Sequence, residues 1–193
     1  KRFDAVHGGL SGAPKFPSTL HNRFLFRYFK RFHDEVALQM ATTTLDKMAA
    51  GGMYDHVGGG FHRYATDVKW LVPHFEKMLY DNAQLVSLYL QAAQLFGNQQ
   101  YKLIARQTLD FMLRELDDPS GALVSSLSAI DDKNVEGGFY LWSDQELQQL
   151  LSTQELQVMK LHWGMQHAPT LDAGHHAQVA LPVPALASKL GKK

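Results

Sequence analysis

The sequence has no cysteine, which removes disulfides, thiolate nucleophiles and thiolate metal sites together. It has no surplus of charge either: nineteen basic residues face nineteen acidic ones. Without a basic stripe, nucleic acid is not an expected partner. No apolar run approaches the roughly 20 residues that span a bilayer, so no membrane partner is expected. No secretory pattern is visible, since Lys1-Arg2 leads straight into Asp4 and Gly8. These absences fit a cytoplasmic protein. What is present is ordinary for a globular chain, 45% apolar and 20% charged. At 193 residues it suffices for one sizeable domain.

Residues 1–16 are glycine-rich and without periodicity, an irregular lead-in. Pro17-Ser18 opens a helix carrying Leu20, Phe24, Leu25, Tyr28, Phe29 and Phe32 at spacings of three and four. His33-Asp34 breaks it, with Asp34 as N-cap of a second helix that stops at Gly51-Gly52. A loop of about twenty residues follows, long enough to suggest function. Pro73 suits the first turn of a third helix running to Phe96. Asn98 caps a fourth, which runs to about Leu116. Asp117 to Gly121 is a turn signal, and residues 122–142 read as a small β-hairpin. Ser143-x-x-Glu146 and Ser152-x-x-Glu155 are capping boxes for short helices. Residues 166–193 show no period and read as a poorly structured tail.

Shifting the chain by 64 residues places Thr44-Leu45-Asp46-Lys47-Met48 on Thr108-Leu109-Asp110-Phe111-Met112. It also places Met40-Ala41 on Ile104-Ala105 and Phe32-His33-Asp34 on Phe96-Gly97-Asn98. The chain is therefore mainly α, two copies of one αα-hairpin, each followed by a long loop. Such hairpins stack because one alone cannot bury its apolar face. Two copies leave apolar flanks exposed, and self-association is expected.

Four stretches carry a resemblance: Gly9-x-x-Gly12-Ala13-Pro14-Lys15-Phe16-Pro17, Gly51 to Tyr64 (GGMYDHVGGGFHRY), Trp70 to Ala83 (WLVPHFEKMLYDNA) and Glu136 to Trp142 (EGGFYLW). They resemble the YyaL-type thioredoxin-domain-containing family, which includes spermatogenesis-associated proteins of animals. The resemblance covers roughly residues 8–165. It implies a thioredoxin-like domain, here absent, followed by an (α/α)6 toroid similar to N-acylglucosamine 2-epimerases and six-hairpin glycosidases. Residues 17–165 would be its first two hairpins, the β-hairpin and short helices. The tail from His167 lacks the Asn-Phe-Glu-Gly stretch that the family leads one to expect.

On a helix opened by Pro73, His74 and Asp81 lie about 20° apart on one face, with Asn82 on the same stripe. They make an acid/base pair, or Asp81 is held in a buried network by His74 and Lys77. Glu76 falls about 200° from His74 on such a helix and is either catalytic or a first-turn acid favoured by the helix dipole. His56 is a further acid/base candidate. Arg63, His62, Tyr64, Trp70, Asn82 and Asp131 are the candidates for binding substrate. Aromatics beside His and Arg suit a sugar, while the alternative is that Phe61, Tyr64 and Trp70 are core. Gly58 to Gly60 permit close backbone approach, but no phosphate-binding lysine pattern follows. His162, His167, His175 and His176 form no metal-ligand pattern, so no metal and no cofactor are expected.

Together these features point to a carbohydrate-active or carbohydrate-binding toroid. If it is an enzyme, sugar epimerisation or glycoside cleavage is the expected reaction. The alternative is a non-catalytic helical scaffold for a protein partner or for the family's thioredoxin-like domain.

Overall fold

The computed structural model describes residues 2–191, which fall into two compact units, Lys1–Ala129 and Ile130–Lys193. In the first unit, α1 (Thr19–Phe32) and α2 (Glu35–Ala50) form one antiparallel hairpin, and α3 (Leu79–Phe96) and α4 (Gln99–Glu115) form the second.

The internal repeat is visible atom by atom. His33 and Gly97 both end their helices in the left-handed conformation, at φ 53° and 65°. Asp34 and Asn98 both follow as N-caps: Asp34 accepts from the Ala37 N–H at 2.9 Å, and Asn98 from that of Gln100 at 2.9 Å. The buried hydroxyls of Thr44 and Thr108 each donate to the carbonyl four residues back, Met40 and Ile104, both at 2.8 Å. Ala41 and Ala105 are wholly buried beside them. Leu45, Met48, Leu85, Leu88, Tyr89 and Ile104 form the shared core, with Phe61 stacked on Tyr89 at 5.4 Å.

The segment from Pro73 departs from the sequence-based expectation. It does not begin the third helix, which starts only at Leu79. Burial alternates instead with period two: Pro73, Phe75 and Lys77 are buried while His74 and Glu76 are half-exposed. That is strand periodicity, and a proline fits the first residue of a strand as well as the first turn of a helix. Strand β1 (Tyr64–Ala65) pairs antiparallel with β2 (Pro73–His74), Tyr64 opposite His74. Strand β3 (Lys77–Met78) pairs with β4 (Ser126–Leu127), so a small antiparallel β element does draw on the 122–142 stretch.

In the second unit, α5 (Asp144–Leu150) and α6 (Thr153–His162) open with complete capping boxes at Ser143/Glu146 and Ser152/Glu155. Leu141, Leu147, Leu161, Met165 and Leu186 are its buried apolar residues among those described. A seven-residue helix, α7 (Val183–Lys189), lies in the stretch read as poorly structured; Pro182 and Pro184 let it start without costing a helical hydrogen bond. None of the described helices is long and apolar enough to cross a membrane.

Candidate functional site

The loop from Met53 to Met78 is built on a buried ion pair. Lys77 Nζ donates to Asp55 Oδ2 at 2.7 Å and to the Gly59 carbonyl at 2.8 Å, and sits 4.3 Å from the centre of the Phe111 ring. The Lys77 side chain is 1% exposed. Asp55 Oδ1 accepts from the backbone of Val57 and Gly58. Burial raises the Asp55 carboxyl, but Lys77 and these N–H groups override it and hold the group below the usual carboxylate range. Gly59 closes the turn at φ 78°, where an added Cβ would lie 2.6 Å from the Gln107 carbonyl of α4.

The same clasp occurs a second time. Lys15 Nζ donates to Asp4 Oδ2 and to the Gly8 carbonyl, both at 2.7 Å, and lies 5.5 Å from the Trp70 ring. Asp4 Oδ1 accepts from Val6 and His7, and Gly8, at φ 72°, presses against Thr44 of α2 as Gly59 does against α4. Burial raises Asp4 too, yet Lys15 and the backbone donors hold it at about 2. The aspartate and lysine are 11 residues apart in the Asp4–Lys15 clasp and 22 in the Asp55–Lys77 clasp. The additional residues of the Asp55–Lys77 clasp form an excursion, and that excursion carries the candidate site.

Strands β1 and β2 are the stem of the excursion. Arg63 Nη1 pairs with Glu76 Oε2 at 2.6 Å, and the Arg63 N–H donates to the Glu76 carbonyl. His74 Nε2 lies 3.4 Å from the same Glu76 oxygen. The Tyr64 ring stacks on His74 at 5.0 Å, and Phe16 packs on Tyr64 at 4.9 Å. Glu76 holds the Arg63 guanidinium above its ordinary range, and Tyr80 is within reach of the same group. Asp81, in the first turn of α3, faces Arg63; burial, opposed in part by Arg63, lifts its carboxyl to about 6.

Two sequence-based expectations are therefore corrected. His74 and Glu76 are not on opposite sides of a helix, because in extended backbone residues two apart share a face. His74 and Asp81 do not share a helical stripe, since His74 is on β2 and Asp81 on α3. They approach one cluster through Arg63 instead. Arg63, Tyr64, His74, Glu76 and Asp81 gather there, joined by Phe16 and Tyr80, which the sequence did not single out.

The other candidates lie elsewhere. His56 Nε2 is 3.0 Å from the Gly51 carbonyl, with its ring edge-on to Tyr54. His62 is 2% exposed, with Nδ1 3.1 Å from the Phe75 carbonyl. Trp70 is fully buried and donates its indole N–H to the His7 carbonyl. Asn82 is fully buried and ties Phe61 to Met78. Asp131 belongs to the second unit, where its Oδ1 accepts from the backbone of Lys133 and Val135. Among the described residues no three His, Asp or Glu gather as metal ligands.

The raised Asp81 carboxyl sets a sign. Its charged form is disfavoured by folding, so the penalty is absent below the unfolded pKa near 4, grows up to about 6 and is constant above. Asp81→Asn should therefore stabilise the protein at pH 7.5 by about 1 kcal/mol, after discounting for solvent screening, and by almost nothing at pH 4. Urea unfolding at the two pH values checks this; an equal effect at both would remove the titration from the explanation.

No family model matches the sequence. Human spermatogenesis-associated protein 20 is 42% identical over 86% of this chain and 23% of its own length. The rat protein of that name is 40% identical over 94% of this chain and 26% of its own. The chain thus spans about a quarter of the length of the curated relatives it matches. Among solved structures, a cellobiose 2-epimerase from Spirochaeta thermophila superimposes with a TM-score of 0.59 at 20% identity, over 65% of this chain and 34% of that one. That likeness identifies the stacked hairpins as part of an epimerase-like (α/α)6 toroid. With 42% and 40% identity to the human and rat proteins over 86% and 94% of its residues, the chain belongs to the thioredoxin-domain family of spermatogenesis-associated protein 20.

Proposed function

We propose that this part of the toroid contributes one wall of a carbohydrate site, with Arg63, His74, Glu76 and Asp81 as its polar groups and Tyr64 as an apolar face. The observation that carries the reading is the half-exposed cluster itself: a guanidinium, an imidazole and two carboxylates converge beside an aromatic stack. A sugar presents an apolar ring face and a rim of hydroxyls, and this cluster offers a partner for each. The solved neighbour of the same fold is a sugar epimerase, which supports the choice of ligand class by analogy. In an enzymatic reading His74 and Asp81 act as acid and base, for epimerisation or glycosidic cleavage, without metal or cofactor. Arg63, paired with Glu76, orients hydroxyls. The cysteine-free chain is suited to the cytoplasm.

Isothermal titration of the full-length protein with a panel of sugars and amino sugars tests this. Binding should be lost or weakened at least about a hundredfold, roughly 3 kcal/mol, in His74→Ala and Asp81→Asn. Asp81→Asn should combine that loss with unchanged or raised stability, as a functional carboxylate does. Unaltered sugar affinity in both folded variants refutes the assignment.

A second reading rests on α1. Leu20, Phe24, Tyr28 and Phe32 form one stripe, four residues apart, and are 74%, 62%, 38% and 59% exposed. Such a stripe suits a scaffold that binds a protein partner, the family's thioredoxin-like domain or a second copy of the chain. The 193-residue chain should self-associate in light scattering at high concentration, and Phe24→Glu with Phe32→Glu should return it to a monomer. A wild-type chain that scatters as a monomer sets the self-association aside.

A further inference from the structure

We infer that the groove between α1 and α3 is a binding site for an acidic peptide segment, separate from the candidate carbohydrate site. Arg23, Arg27 and Lys30 project from one face of α1 at spacings of four and three residues. Neither α1 nor the stretch of α3 beyond Asp81 contains an acidic residue, and no carboxylate lines the groove. Among the described residues these three cations make no ion pair. Opposite them α3 supplies Gln91 and Gln94, and Phe26 and Leu95 make an apolar floor. The groove encloses about 340 Å³, within the roughly 300–1,000 Å³ of ordinary ligand sites.

The Arg23 guanidinium gives the second observation. Its Nη2 makes a long 3.5 Å hydrogen bond to the Gln84 carbonyl, while its Nε is shielded from solvent with no acceptor. A buried donor without a partner calls for an explanation: the guanidinium is held only by the long Gln84 contact, and a carboxylate in the groove would draw it outward and satisfy its Nε. In a chain with no net charge, three unopposed cations on about 10 Å of helix are a local field that selects for negative charge. The pitch matches carboxylates spaced along a peptide, the two glutamine amides can meet its backbone, and the apolar floor accommodates one aliphatic side chain. The cluster at Asp81 is about 15 Å away along α3, given ten residues to Gln91, so the two sites are separable by mutation.

Fluorescence anisotropy of the full-length protein with a labelled peptide of glutamates flanking a single leucine tests the inference. The peptide should bind, more weakly as salt is raised. Arg27→Glu with Lys30→Glu, both on exposed side chains, should raise Kd at least about tenfold without shifting the unfolding temperature, and Arg23→Met should weaken binding independently. Sugar binding by the same variants should be unchanged. No binding of the glutamate peptide overturns the inference. So does equal binding of a glutamine version, an unaltered Kd in both variants, or displacement of the peptide by inorganic phosphate or single-stranded DNA at lower concentration.

Discussion

Asp55→Ala should destabilise the protein by about 3–5 kcal/mol, because it strands an ammonium in the interior. The Lys77 side chain is 1% exposed. Without Asp55 its Nζ loses its carboxylate partner and is left to the Gly59 carbonyl, the Phe111 face and more distant groups, and the N–H groups of Val57 and Gly58 lose the Asp55 Oδ1 acceptor. Lys77→Met should cost less, since the thioether fills the lysine stem's volume, although it leaves the carboxylate unpaired. The double variant, Asp55→Ala with Lys77→Met, should be more stable than the sum of the two losses implies, by about 1–3 kcal/mol of coupling. Guanidinium unfolding of the four proteins reads this directly; additive losses would mean that the pair is not an energetic unit. The depressed Asp55 carboxyl adds a pH dependence. The stabilisation it brings is present above the unfolded pKa near 4 and disappears as pH falls through the lower folded value.

The helical framework was legible because its signals are local and repeat at one interval. Asp34 and Asn98, His33 and Gly97, and Thr44 and Thr108 all fall 64 residues apart and do the same structural job in each copy. The paired clasps do not follow that interval. Asp4-x-Val6-x-Gly8-Gly9 and Asp55-x-Val57-x-Gly59-Gly60 match at a shift of 51, because the later excursion lengthens one loop only. The partner lysines, in turn, stand at unequal distances from their aspartates.

The start of α3 shows how two periods compete. Pro73 to Lys77 carries an N1-like proline and an early acid, which fit a helix, and an apolar–polar alternation over Pro73 to Glu76, which fits a strand. Tertiary pairing with Tyr64 and Ala65 decided for the strand. With that choice Glu76 swung to the side of His74 and Arg63. No residue in the window announces that pairing; the aromatic Tyr64 opposite His74 is its one readable trace.

Asn82→Ala should cost about 3 kcal/mol and unfasten the site together with the fold. Asn82 is fully buried; its Oδ1 accepts from the Phe61 N–H at 2.7 Å, while its Nδ2 donates to the carbonyls of Phe61 at 3.0 Å and Met78 at 2.9 Å. Truncation leaves the Phe61 N–H and C=O without this partner in a site closed to water, at about 1–3 kcal/mol for each group. Phe61 enters the excursion that bears Arg63 and His74, and Met78 leaves it, so one amide pins both of its ends to the first turn of α3, beside Asp81. Loosening that clip should raise hydrogen exchange across residues 61–78 before the helices themselves lose protection. Asn82→Asp keeps the acceptor for the Phe61 N–H but sets a buried carboxylate against the Phe61 and Met78 carbonyls, so near neutral pH its loss should match or exceed that of alanine. Urea unfolding combined with native-state exchange distinguishes the outcomes: a cost below about 1 kcal/mol, or exchange that rises uniformly along the chain, would show that the excursion is held by its strands and clasp rather than by this side chain.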